Sequence, residues 1–367
     1  ETCNLKLVTF LLVSLIINYK FTSLFFMDVN DAQLPQEEQT PITTFQDYIP
    51  KQQTPIKQQM SYFSQLVIFI GLTGGGLVVA GIVSLIVFFA MKGGGSLSSL
   101  TESELLKPEN ANFNKVLQLV STLFLFFTPA FFFALIVNGK PFSYLGFNKK
   151  ASAKQLGLVI LVACTGLFLS SALGEINQLI PISKGARNYF QGLEDKYIDE
   201  MLSMVQIKSV ADYIIDLFII ALAPAILEEL FFRGALQQLL TNWIKTPWIA
   251  IAITSIIFSA IHFSYFGFLP RAMLGAVLGL LFYYSKNIWT NILAHFLNNA
   301  IAVTQIYVLS FSGKVDKKAL ADLDKTQLAG WQIALLGIAS SVAMIVWLHY
   351  FKKESNKTLA QPQLEIA

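Results

Sequence analysis

The chain has 367 residues, 54% of them hydrophobic and only 13% charged, where a soluble globular chain is about a quarter charged. That composition excludes an ordinary soluble domain and describes a polytopic membrane protein. The net charge of +3 comes from basic residues scattered through loops, so no nucleic-acid footprint exists and no nucleic-acid partner is expected. The two cysteines, Cys3 and Cys164, lie far apart and suggest neither a disulfide framework nor a thiolate metal site.

Residues 8–26 are apolar but interrupted by Asn18 and Lys20, and Met27 opens a polar stretch. Residues 1–26 are therefore expected to be an extra span, a targeting segment, or sequence upstream of the initiator. Residues 28–60 are rich in Gln, Pro, Thr and acidic residues and read as a flexible tail. Eight apolar segments follow, at 62–91, 116–138, 155–176, 209–240, 248–264, 269–285, 288–311 and 331–351. Each is near the length of about 20 residues that a bilayer core demands of a helix. Lipid tolerates no unpaired backbone, so each segment must be helical. The expected fold is all-α, a polytopic bundle of about eight transmembrane helices. Its divisions are an N-terminal segment and tail (1–60), N-terminal helices (61–208), a core holding the unusual polar residues (209–311), and a last helix with a C-terminal tail (312–367).

Gly71 with Gly75 and Gly275 with Gly279 each form a G-x-x-x-G pattern, read as close helix packing. The Gly93-Gly94-Gly95-Ser96 loop reads as a flexible connection rather than a nucleophile turn. Loop lysines and arginines divide evenly between the two sides of an eight-span topology. Lys149, Lys150, Lys154, Lys352 and Lys353 lean toward cytoplasmic termini.

The polar residues inside the spans carry the chemistry. The fourth segment, about 48 Å long as a helix, contains the stretch AILEELFFRGAL at 225–236. Pro224, lacking its N–H, is expected to kink the helix and start a fresh run behind it. Glu229 and Arg233 are spaced i, i+4 and can pair on one face. Glu228 is rotated about 100° from Glu229, which leaves it free. The fifth segment carries Phe258 and His262, and the seventh carries His295 and Asn299, both pairs again at i, i+4. Counting from the connecting turns, Glu228 lies about 18 Å along its helix, His262 about 22 Å, His295 about 12 Å and Asn299 about 18 Å. These groups from three helices are expected to converge near mid-membrane.

The bland alternatives differ from residue to residue. A carboxylate and an arginine buried in a span commonly serve architecture, and Glu229 with Arg233 is read that way. His349, beside Trp347 and Tyr350 at the end of the last span, is read as an interfacial packing residue. A packing role for both His262 and His295 would require two coincidences at one depth. Asp212, Glu175, Asn298, Arg271 and Gln305 are read as interfacial or packing residues. Asp216 shares a face with Asp212, and neither has an evident partner in the sequence.

The ordered set Glu228-Glu229-x-x-x-Arg233, Phe258-x-x-x-His262 and His295-x-x-x-Asn299 resembles the three-motif signature of the CPBP intramembrane proteases. That CAAX protease and bacteriocin-processing family, also called Abi, includes the type II CAAX prenyl endopeptidases. The resemblance covers roughly residues 210–310, and the combination is more specific than any one motif. It implies an intramembrane endopeptidase in which Glu228 and His262 hold and deprotonate a water. His295 and Asn299 would then stabilise the oxyanion, while Glu229 and Arg233 orient Glu228. Glu228, His262 and His295 could also form a His₂Glu site for zinc or another divalent metal. The H-E-x-x-H motif is absent, and a metal-independent, glutamate-dependent enzyme is the other reading. The implied partners are membrane lipids and a peptide or lipidated-protein substrate, with the chain in a bacterial plasma membrane. A transporter or proton relay is a competing class, although the first half shows no counterpart of these motifs. A non-catalytic immunity or scaffold protein is a third.

Overall fold

The structure is a computed structural model that describes residues 60–92, 106–147, 150–205, 207, 209–311 and 328–360. The readings made for residues 1–59, including Cys3, and for the Gly93–Ser96 loop lie outside these residues. Among the described residues the regular structure is helical throughout. Its main elements are α1 (Tyr62–Lys92), α2 (Ala111–Asn138), α3 (Ala153–Leu179), α4 (Lys184–Met204), α5 (Val210–Ile244), α6 (Pro247–Ala260), α7 (Phe268–Ser285), α8 (Ile288–Phe311) and α9 (Gly330–Ala360). Seven of them are long and apolar enough to cross a membrane. This is a multi-pass integral membrane protein. Its outward side chains, such as Phe63, Ile70, Leu77, Ile160, Phe218 and Val342, are those a lipid-facing surface requires.

Two segments depart from the expected spans. The fifth, α6, ends at Ala260 after 14 residues, about 21 Å against a hydrocarbon core of about 30 Å. Residues 261–267 are a loop in which Phe263 takes a left-handed backbone with φ of 50°. The second departure is α4, a mixed polar helix without a continuous apolar face that the hydropathy reading left among the connections. It starts at a Ser183 cap whose hydroxyl accepts from the Ala186 N–H.

Pro224 does not break α5. The helix widens to π geometry at Leu217–Leu222, immediately before the proline, and again at Leu230–Gln237. These turns absorb the missing donor without a new start. The bonds across the second widened stretch tie α5 to its neighbours. Gln237 Nε2 donates to the Gly279 carbonyl at 3.0 Å, and Gln238 Nε2 to the Tyr144 carbonyl at 2.6 Å.

Without a hydrophobic drive between helices in lipid, packing and interhelical hydrogen bonds decide association. An aromatic core joins α1, α2, α5 and α6: Phe69 meets Phe231 at 4.8 Å, and Phe232 meets Phe258 at 5.2 Å between centroids. α3 and α9 are pinned at one end, where Gln155 Nε2 donates to Ser355 Oγ at 3.1 Å.

The two glycine patterns behave differently. A Cβ at Gly275 would lie 3.0 Å from the Ser255 Cα, and one at Gly279 would lie 2.8 Å from the Ile251 side chain, so α6 and α7 touch through these glycines. Gly71 and Gly75 have nothing within 4 Å of such a Cβ, and it is Gly76 that packs closely, against the Phe124 carbonyl. The close-packing reading therefore holds for α7 and is corrected for α1. Gly275→Ala is expected to destabilise by about 1–3 kcal/mol, the range for overpacking. Gly71→Ala should change stability by no more than about 0.5 kcal/mol. Thermal unfolding of the two variants in detergent compares them.

The polar pairs on α2 and α5 also correct the sequence reading. Lys115, counted there as a loop charge, lies inside α2 and pairs with Asp216 at 2.5 Å, with both side chains buried. Asp212 instead sits in the first turn of α5, where its carboxylate accepts from the Ser209 hydroxyl at 2.9 Å.

Candidate active site

α5 delivers two carboxylates in succession to the centre of the bundle, and the helix phase gives them different surroundings. Glu229 is fully buried. It accepts from Arg233 Nη1 at 2.5 Å, from His295 Nδ1 at 2.9 Å and from Asn291 Nδ2 at 3.2 Å. Arg233, fully buried as well, donates its Nη2 to the Gly275 carbonyl at 3.1 Å. Its guanidinium carbon lies 4.7 Å from the Phe258 ring centroid, a cation–π contact. One face of α5 is thus locked to α6 and α7 through Arg233 and to α8 through Glu229.

Glu228 has no such set of partners. Its Oε2 is buried without a hydrogen-bond partner among the described residues. His295 Nε2 lies 4.0 Å from that oxygen, and the Glu228 side chain keeps 13% of its exposure. His295 therefore spans the two carboxylates, with Nδ1 held by Glu229 and Nε2 turned toward Glu228. Because the Glu229 carboxylate only accepts, Nδ1 is the donating nitrogen, and Nε2 is left for a ligand, a water or a proton.

His262 comes from just past the end of α6, not from within it. Its Nδ1 donates to the Phe258 carbonyl at 2.7 Å, which assigns the tautomer and leaves Nε2 free to accept. Phe258 contacts both imidazoles, with its centroid 5.1 Å from that of His262 and 5.8 Å from that of His295. Asn299 is half-buried, and its Nδ2 makes a long contact of 3.4 Å to the Ala221 carbonyl in the first widened stretch of α5. His349 is exposed and meets only the Tyr350 ring, on a different part of α9.

Counting along straight helices put His295 some 6 Å short of Glu228 in depth, yet the two carboxylates flank it. The start of α8 is packed into the protein, although the turn before it exposes Lys286. Asn287 is 1% and Ile288 0% exposed. The Ile288 N–H reaches the Gly146 carbonyl at 3.1 Å.

Sequence reasoning missed Asn291. It is fully buried, and its Nδ2 donates to the Leu278 carbonyl at 2.6 Å as well as to Glu229. The signal was available, since Asn291 stands four residues before His295 on the same face of α8, the mirror of the spacing that drew attention to Asn299.

No group of three or more His, Cys, Asp or Glu side chains among the described residues is arranged to hold a metal ion. His295 nevertheless carries the carboxylate support on its second nitrogen that metal-ligating histidines use. The chemistry below is derived from protein groups and water.

Residues 210–301 match the Rce1-like family. Its description is type II CAAX prenyl endopeptidase Rce1-like. The Rce1-like segment runs from the start of α5 into α8, and so contains Glu228, Glu229, Arg233, His262, His295 and Asn299. The chain is also 24% identical to the uncharacterized protein YpbD of Bacillus subtilis over 172 residues, which is 41% of this chain and 86% of that relative. No solved structure matches the chain. The family match agrees with the resemblance carried by the three motifs, and it places the likeness in the same segment that builds the buried polar cluster.

Proposed function

We propose that the protein is a membrane-embedded endopeptidase of the CAAX type, in which Glu228 activates a water for attack on a peptide carbonyl. The observation that carries this reading is the contrast between the two carboxylates. Glu229 spends its oxygens on Arg233, His295 and Asn291, whereas Glu228 keeps a buried oxygen without a partner, facing an imidazole. A carboxylate oxygen held without a partner beside an imidazole is placed to take a proton from a water between them. The Rce1-like match supports peptide hydrolysis by the same segment.

In the proposed cycle a water hydrogen-bonds to Glu228 and to His262 Nε2, and Glu228 takes its proton as the oxygen attacks. His295, doubly protonated against the Glu229 carboxylate, donates from Nε2 to the developing oxyanion. Asn299 adds a second donor by giving up its long contact to Ala221. Glu228 then returns the proton to the leaving amine. Glu229 and Arg233 act as positioning residues, holding α5 and the His295 ring in register. Glu228, His262 and His295 are the set that the sequence offers to a divalent metal, but as placed they form no such group, and no step is assigned to one.

The test is cleavage of a farnesylated peptide and its unmodified counterpart by purified, reconstituted protein, with and without a chelator. Cleavage by the parent and by His349→Ala, with none by Glu228→Ala, is the expected pattern. Equal cleavage by Glu228→Ala would overturn the reading, and the chelator arm separates the metal-dependent from the glutamate-dependent form.

A further inference from the structure

The loop that carries His262 leads into Arg271, in the first turn of α7. This guanidinium lies within electrostatic reach of both Glu228 and His262, yet it belongs to none of the three motifs. Its Nη1 is buried with no hydrogen-bond partner among the described residues. The side chain folds back over Gly267, where any Cβ would collide with Nη1, so the glycine makes room for it. On its outer side Tyr197 of α4 stands 5.9 Å from the guanidinium carbon. Glu194 of α4 has its Oε2 occupied by the Ser264 hydroxyl at 2.7 Å. Phe190 stacks on Tyr265 at 4.8 Å, which helps α4 to close this side. The Tyr265 hydroxyl is a second buried donor without a partner in the same segment.

A guanidinium nitrogen buried without a hydrogen-bond acceptor is costly, and the planar fork of arginine matches a carboxylate better than any other common ligand. On a peptide substrate that anion is either the C-terminus or an acidic side chain. We propose that Arg271 is a specificity-determining residue that binds the C-terminal carboxylate of a peptide, directing cleavage to a bond close to the C-terminus. The proposal rests on the hydrolytic reading above for its consequence, but the binding step stands by itself.

The experiment compares farnesylated peptides of one sequence that end in a free carboxylate, in an amide, or in an amide with an acidic final side chain. A charge-assisted hydrogen bond contributes about 1.5–3 kcal/mol, which is about 10- to 150-fold in an equilibrium constant. The parent should favour the free acid over both amides by that factor in kcat/KM. Arg271→Gln should abolish the preference for the acid over the plain amide, read as the ratio of their KM values, and Arg271→Lys should recover part of it. Equal use of acid and amide by the parent overturns the proposal, as does equal cleavage of the acidic-side-chain amide. A uniform loss on all three peptides in Arg271→Gln overturns it too, by assigning Arg271 to fastening the loop against α4. Fluorescence anisotropy with labelled acid and amide peptides reads binding alone. Acid-selective binding lost in Arg271→Gln, without any cleavage by the parent, would sink the hydrolytic reading and leave carboxylate recognition standing.

Discussion

Glu228→Gln is expected to lower the cleavage rate by about 10²- to 10⁴-fold, the usual contribution of a general base. Folding should be left nearly untouched. The amide has the same volume and shape, and the replaced oxygen makes no hydrogen bond that the fold would miss. What it loses is the capacity to take a proton. Single-turnover cleavage, with a denaturation curve on the same preparation, measures the two quantities together. A rate within tenfold of the parent would remove Glu228 from the role of base.

The adjacent residue should behave in the opposite way. Glu229→Ala strands the fully buried Arg233 with the Gly275 carbonyl as its remaining hydrogen-bond acceptor, and it also releases His295 Nδ1 and Asn291 Nδ2. Removing one partner of a buried ion pair costs about 3–5 kcal/mol because the other charge stays desolvated. The double variant Glu229→Leu with Arg233→Met replaces both charges by apolar groups of similar bulk, and it should recover much of the lost stability. It should not recover cleavage, because His295 would have lost the carboxylate that orients its ring. Unfolding in detergent and peptide cleavage, measured on the parent, the single variant and the double variant, separate the two effects. Equal instability of Glu228→Gln and Glu229→Ala would contradict the division of labour between the two carboxylates.

That division was legible in the sequence because it follows from helix phase alone: Arg233 stands four residues after Glu229, and Glu228 points about 100° away. The apolar spans were legible for an equally simple reason, since lipid imposes one length and one secondary structure. Other features depend on three-dimensional facts that neither rule contains. α4 has too many charges to stand out by hydropathy, and it is held by contacts such as Phe190 on Tyr265 and Glu194 on Ser264. The partner of Asp216 is Lys115, 101 positions away and hidden in a stretch that looked like the approach to a span. The packing at the start of α8 was not legible either, because the backbone bond from Ile288 to Gly146 joins residues 142 positions apart. The open surroundings of Gly71 and Gly75 show that a small-residue spacing permits close packing without requiring it.

The early end of α6 has a bearing on how a hydrolase could work in oil. A helix of about 21 Å leaves about 9 Å of a hydrocarbon core of about 30 Å unfilled. Non-helical backbone at membrane depth is tolerated only where protein covers it or water reaches it. Here the gap is filled by residues 261–267, whose backbone is satisfied from the side by Asn177 at the Tyr265 carbonyl and roofed by the charged helix α4. That segment is therefore covered by protein, which is how a non-helical turn at this depth is tolerated. His262 sits on a turn held from two sides, by the Phe258 carbonyl at its imidazole and by Asn177 at the Tyr265 carbonyl, so its ring is aimed by neighbouring helices rather than by a helix face of its own.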